Sequence, residues 1–174
     1  SDGETLVLLN PSGERVDVVR FGPQVTQRSL ARDGTGQWVL AHPTPGTANQ
    51  PLVAAELSTA LTINEFQILP SRGSPWIELH NADWRPASLA GWSLVTSNSA
   101  IPLNTISFVE PGGFLVFTAD RKTGPRQLEM DLPNLAGLLV LQDPTGAEVQ
   151  RITYNTQASG ATLARIPDGL GSLQ

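Results

Sequence analysis

The sequence contains no cysteine, so neither a disulfide framework nor a thiolate metal site is open to it, and its redox compartment stays undefined. It has a single lysine, Lys122, and two histidines, His42 and His80. Charged residues make up 16% of the 174, well below the roughly 25% of an average soluble chain. No apolar run approaches the ~20 residues of a membrane-spanning helix, so no membrane span is expected. The formal net charge is −5. An acidic surface repels a phosphate backbone, and nucleic acid is therefore not an expected partner. The one basic cluster, "RKTGPR" at 121–126, reads as a solvated loop. The chain opens "SDGETL" without a signal-peptide pattern and reads as a mature or excised stretch.

What the sequence has in quantity is punctuation. Sixteen glycines and fourteen prolines, scattered throughout, leave little room for long helices. Hydrophobic residues at 40% suffice for a packed core, and the length fits one ordinary domain, or one domain plus a fragment of another. From residue 61 onward short apolar runs follow one another: "LTINEFQIL", "WIELHN", "GWSLVT", "ISFV", "GGFLVFTA", "LLVLQD", "EVQRITY" and "ATLARI". Turn-forming segments such as "PSRGSP", "EPGG" and "DPTG" separate them. That spacing predicts seven or eight strands in an all-β sandwich. "FLVF" at 114–117, apolar on both faces, predicts a central strand covered on both sides.

One phrase occurs twice. "LVLLNPSG" at 6–13 returns as "LVLQDPTG" at 139–146, and the two stretches keep register at an offset of 133 until Arg32 meets Arg165. Leu6/Leu139, Val7/Val140, Leu8/Leu141, Pro11/Pro144, Gly13/Gly146, Val16/Val149 and "LAR" at 30–32 and 163–165 are identical; Val19/Ile152 and Phe21/Tyr154 keep their character. A fixed offset of this kind marks a repeated module. Asn or Asp, then Pro, then Ser or Thr, then Gly, set between apolar runs, predicts a β-hairpin around a type I turn. Val16 and Val149 fall out of phase with the alternation of their strands, which predicts a bulge there or a place on the opposite face.

The chain therefore divides into residues 1–49, the second half of a preceding module, and residues 59–174, nearly the whole of the next. The first part is expected to comprise the hairpin, a final strand at "QWVLA" and an extended Pro/Gly linker, "AHPTPGTANQP" at 41–51. The stretch "LVAAELSTA" at 52–60 suits either a helical turn or two, or a lead into the next strand.

The order "INEF", "WIELHN", "LAGWSL", "FVEPGGFLVFTA", "LVLQDPTGAEVQRITY", "LAR" resembles the lamin tail domain family, bacterial type, over about 61–166, and its second half again at 5–49. The resemblance implies an immunoglobulin-like β-sandwich in which Trp76, Ile77, Leu79, Gly91, Trp92, Leu94, Gly113, Val116 and Phe117 determine the fold and none is catalytic. It also implies a secreted or surface location for bacterial members, sometimes beside nucleases or phosphoesterases. The tryptophan and Pro-Gly tail at 38–46 have no clear counterpart after 165.

Catalysis needs a nucleophile with its base, paired acids, or a metal cage. No Ser or Asp constellation points to His80, and His42 sits in the linker. Glu65 and Glu78 lie inside apolar strands, and a buried carboxylate needs a partner, for which Arg165 is the natural candidate. The acidic-glycine spots "SDGE", "RDGTG" and "PDGLG" carry one aspartate each, too few for calcium, and read as turns. Among Trp38, Trp76, Trp84 and Trp92, Trp76 and Trp92 are expected in the core; Trp84, in the loop "NADWRPAS", is expected to pack on its own sandwich, and is the one to look to if any aromatic is exposed for a ligand or partner. No catalytic, cofactor-binding or metal-binding residue is assigned, and no enzyme is expected. The expectation is an extracellular structural or assembly module of a tandem array, with other copies or adjacent repeats as partners. Residues 4–40 could complete a sheet in a neighbouring copy and so build a filament. The alternative is a module that binds protein, sugar or nucleic acid on behalf of an attached secreted enzyme such as a nuclease.

Overall fold

The computed structural model describes residues 3–103 and 106–174. Strands come in the order β1 (Glu4–Leu9), β2 (Arg15–Phe21), β3 (Ser29–Arg32), β4 (Trp38–His42), β5 (Gln50–Pro51), β6 (Leu61–Gln67), β7 (Trp76–Asn81), β8 (Ala87–Ser88) and β9 (Ser93–Thr96). They continue with β10 (Ala100–Pro102), β11 (Phe108–Val109), β12 (Phe114–Ala119), β13 (Gln127–Leu128), β14 (Gly137–Gln142), β15 (Glu148–Tyr154), β16 (Leu163–Ile166) and β17 (Ser172–Leu173). A 3-10 turn at Ala54–Glu56 is the only helical element among the described residues, and it resolves the open reading of 52–60 as a single turn. No helix there is long and apolar enough to cross a membrane.

From β6 onward the chain is an all-β sandwich. One sheet runs β13-β12-β7-β6-β16-β17 and the other β10-β9-β14-β15. β6, β7 and β12 on one side, with β9, β14 and β15 on the other, make an immunoglobulin-like arrangement. Alternation drives the packing. Leu61, Ile63, Ile77, Leu79, Leu115 and Phe117 point inward from the first sheet and meet Leu94, Leu139, Leu141, Ile152 and Tyr154 from the second. Phe66 and Tyr154 touch across the layers with ring centroids 5.4 Å apart.

The β6 pattern breaks at Asn64, where a bulge shifts the register between Ile63 and Glu65. One extra residue lets both Ile63 and Phe66 face inward and leaves Asn64 buried as well. Side chains from the opposite layer satisfy the backbone this edge exposes. Gln150 Oε1 accepts from Ile63 N at 2.7 Å, and Gln157 Oε1 accepts from Ile68 N at 3.0 Å.

Three sequence expectations are corrected. "FLVF" in β12 is covered fully on one face only: Leu115 and Phe117 are buried, whereas Phe114 is exposed and Val116 half-buried, because no layer lies over that side of the sheet. The 41–51 stretch is not an extended linker. It folds back as a hairpin in which Ala41 pairs with Pro51 and His42 with Gln50, so β5 extends a sheet of order β3-β4-β5. Trp92 is in the core at 3% exposure, but Trp76 is only half-buried and donates its indole N–H to Gln67 Oε1 at 3.1 Å.

Residues 21–60 dock on one end of the sandwich. Val25, Leu40 and Leu52 pack with Phe108 of β11. Gly22 N donates to Ile106 O and Phe108 N to Pro23 O, both at 2.9 Å. The approach at Gly22 is so close that a Cβ would fall 1.9 Å from Ser107 Oγ and 3.0 Å from Ser107 Cβ, so a side chain there would have to displace the buried serine.

Candidate interaction surface

The repeated phrase folds twice into the same object. β1–β2 and β14–β15 are antiparallel hairpins of equal strand lengths, and each shifts register at the same step, between Leu8 and Leu9 in one and between Leu141 and Gln142 in the other. Val16 and Val149 are the unpaired bulge residues. The turns agree atom for atom. Asn10 Oδ1 accepts from Ser12 N and Glu14 N at 3.0 and 2.9 Å; Asp143 Oδ1 accepts from Thr145 N and Ala147 N at 2.8 and 3.0 Å. Gly13 and Gly146 hold φ of 83° and 82°, a left-handed conformation that favours glycine. "DGTG" at 33–36 builds the same turn a third time, with Asp33 Oδ1 accepting from Thr35 N and Gln37 N and Gly36 at φ 85°. These caps hold the carboxylates ionised. Hydrogen bonds from the Thr145 and Thr35 hydroxyls set Asp143 and Asp33 below their ordinary range.

The correspondence continues past the hairpin. Arg32 and Arg165 each donate Nη1 to the carbonyl of a glycine in the following turn, Gly36 and Gly171. Each opens a strand pair: Arg32 faces Trp38 across β3–β4, and Arg165 faces Leu173 across β16–β17. β17 is thus the short counterpart of β4 that the sequence after 165 concealed, reached through a turn of the same length, 167–171 against 33–37.

What differs is the cover. In β14–β15, Leu139 and Leu141 are 0% exposed, Val140 2% and Ile152 6%. In β1–β2, Leu6 is 55% exposed, Val7 50% and Leu8 60%. β14 has a second neighbour, β9, and β16 has β6. Among the described residues β1 and β3 have no second strand beside them, so each presents an open strand edge. The first copy therefore offers an apolar face and two open edges in the places where the second copy holds the strands of its own first half.

Elsewhere the side chains singled out in the sequence form no catalytic group. Arg165 does not pair with Glu65 or Glu78. The Asn64 bulge turns both carboxylates to the half-exposed outer face, where they sit opposite each other, and Arg165 spends its Nε on Ile63 O at 3.1 Å. Asn64 instead donates to Glu78 Oε1 and Asp168 Oδ1, both at 3.0 Å, and accepts from Gly169 N at 2.8 Å, stapling the β16–β17 turn to the sheet. His80 is buried and stacks on Phe114 at 4.4 Å; His42 Nε2 lies 3.2 Å from Glu56 Oε1. In the 121–126 loop, Arg121 pairs with Asp131 and Lys122 with Asp120, which neutralises most of its charge. Asp2 of "SDGE" lies outside the described residues. Among the described residues no three His, Asp or Glu side chains gather closely enough to hold a metal. Trp84 does not pack on the sandwich as expected but stands 82% exposed.

The chain matches no protein-family model and no curated protein. Its own internal repeat is the comparison that informs the surface.

Proposed function

We propose that this chain is a non-catalytic link in an extracellular tandem array of lamin-tail-like sandwiches, and that residues 4–40 are the closing half of a module whose opening half belongs to the neighbouring stretch of the array. One observation carries the reading: Leu139, Val140 and Leu141 are buried in β14, whereas their counterparts Leu6, Val7 and Leu8 are exposed in the like-shaped β1–β2 hairpin, with Val19 and Phe21 only half-buried where Ile152 and Tyr154 are buried. Each leucine of this kind contributes about 1.5–3 kcal/mol when covered, so the hairpin face favours association with a fitting partner. The partner it fits has the character of β6, β7, β9 and β12: one strand to extend beyond β1, one to extend beyond β3, and an apolar layer between.

A filament made by exchange between whole copies is the weaker form of this idea. The opening half of each copy already holds its own β14–β16, so inserting another copy's β1–β3 ejects an equivalent hairpin. Apolar area is then traded without gain, whereas an array supplies an opening half that has no hairpin of its own. Size-exclusion chromatography with light scattering separates the two. The array predicts that the isolated chain forms no exchanged polymer, and a ladder of multiples growing with concentration would count against it.

A further inference from the structure

A second surface, independent of the hairpin, lies at the junction of the two parts. Trp84 projects from a loop whose backbone is tied on both sides. Ala82 N donates to Ala60 O, Gly112 N to Asp83 O and Ser58 N to Pro86 O, at 3.1, 2.9 and 2.8 Å. Buried Asn81 donates to Arg85 O and Glu110 O. Arg85 clasps Asp83 and reaches Ala55 O at 3.0 Å, which neutralises its charge and fixes the loop. The loop backbone is thus tied, and the indole projects from it with the Arg85 guanidinium 5.7 Å from its ring centroid. Facing it across a cleft of about 290 Å³ is the 25–28 turn. There Gln27 adopts the left-handed φ of 57°, and Thr26 anchors through N and Oγ1 to Glu110 Oε1 at 2.6 and 2.7 Å.

Most rim polar groups are engaged, Arg85 with Asp83 and Ala55 O, Glu56 with Val53 N and His42, and Glu110 Oε1 with Thr26. Among the described residues neither the Arg28 guanidinium nor Glu110 Oε2 carries a hydrogen bond. We infer that this cleft binds an uncharged pyranose unit of a polysaccharide, with the C–H face of the sugar on Trp84 and its hydroxyls shared between Arg28 and Glu110. An aromatic plane beside a mixed set of donors and acceptors suits a polyhydroxylated ring. A nucleic-acid strand is disfavoured by the Glu56 and Glu110 carboxylates on the rim. An extended peptide is disfavoured because the cleft is bordered by loops and offers it no strand edge to extend.

The test is intrinsic fluorescence of the whole chain titrated with cellotriose, maltotriose, xylotriose and tri-N-acetylchitotriose, with a heparin hexasaccharide as the charged control. At least one neutral trisaccharide should quench tryptophan emission saturably, and the heparin fragment should not. Trp84→Ala should abolish the response, and Arg28→Ala should weaken binding by at least about tenfold. Thermal melting should be unchanged in both variants, since neither side chain holds the fold. The inference is overturned if no neutral probe binds, if only heparin binds, or if the Trp84→Ala protein responds as the parent does.

Discussion

Leu8 and Leu141 occupy the same place in two hairpins of the same shape, so one substitution made at each position separates sequence from surroundings. Leu141 is 0% exposed, packed between the sheets; Leu8 is 60% exposed. Truncating a buried leucine to alanine removes its transfer free energy and leaves a cavity, together about 2–5 kcal/mol. A loss of about 3 kcal/mol lowers the melting temperature of a chain this size by roughly 6–12 °C. Leu8→Ala removes a side chain that is mostly in water already, and about 0.5 kcal/mol or less is expected. Differential scanning calorimetry of the parent, Leu8→Ala and Leu141→Ala measures the contrast directly. Equal losses from both variants would show that β1–β2 is covered within its own chain and would refute the unfinished-module argument.

Arg165→Met should cost about 2 kcal/mol in chemical denaturation, because it withdraws donors from the Ile63 and Gly171 carbonyls; Arg32→Met, at an exposed site, should cost less than about 1. An unchanged midpoint for Arg165→Met would contradict its role as the clasp of β16–β17. Tyr154 is the only tyrosine, and burial pushes its phenol from 10.0 to about 12. The folded state holds that proton more tightly, so the stability it gives is complete below pH 10 and is lost as pH rises toward 12. Ultraviolet titration should show no phenolate until well above pH 10, and a midpoint at 10 in the folded protein would contradict the burial. Asp143 lies below its ordinary value of 3.8, chiefly through the Thr145 hydroxyl, so its stabilisation is present above 3.8 and fades as pH falls further. Asp143→Asn copies the Asn10 turn. It should melt like the parent at pH 7 and show a shallower loss in acid, and an unaltered acid slope would remove the turn from the account.

The hairpins were legible in the sequence because their cause is local: Asn or Asp two residues before Ser or Thr, with Gly next, closes the same turn wherever it stands. Strand alternation revealed the sandwich for the same reason, and the misfit of Val16 and Val149 pointed to the bulges. The pairing of β4 with β5 was not legible, since "HPTPGTANQP" looks like a linker until its ends are seen to meet. Glu65 and Glu78 misled because the bulge at Asn64 reverses which side chains face inward, and nothing local marks Asn64 as the extra residue. The clasp by Arg165 is made to carbonyls, which leave no trace in side-chain patterns. The exposure of Trp84 was not legible, since a loop aromatic can fold back on its own sandwich, and the cleft beside it depends on Thr26 and Glu110, 84 residues apart.

The central claim is that residues 4–40 lack only an opening half. Fusing residues 59–136 directly ahead of residues 4–174 preserves the repeat offset of 133 and supplies that half in cis. Amide hydrogen exchange at Leu6, Val7 and Leu8, followed by NMR in the parent chain and in the fusion, measures whether the hairpin becomes covered. The account predicts that those of these amides that face the open edge rather than β2 exchange quickly in the parent and slow to the rates of their counterparts among Leu139, Val140 and Leu141 in the fusion. Fast exchange that persists in a folded fusion would contradict it.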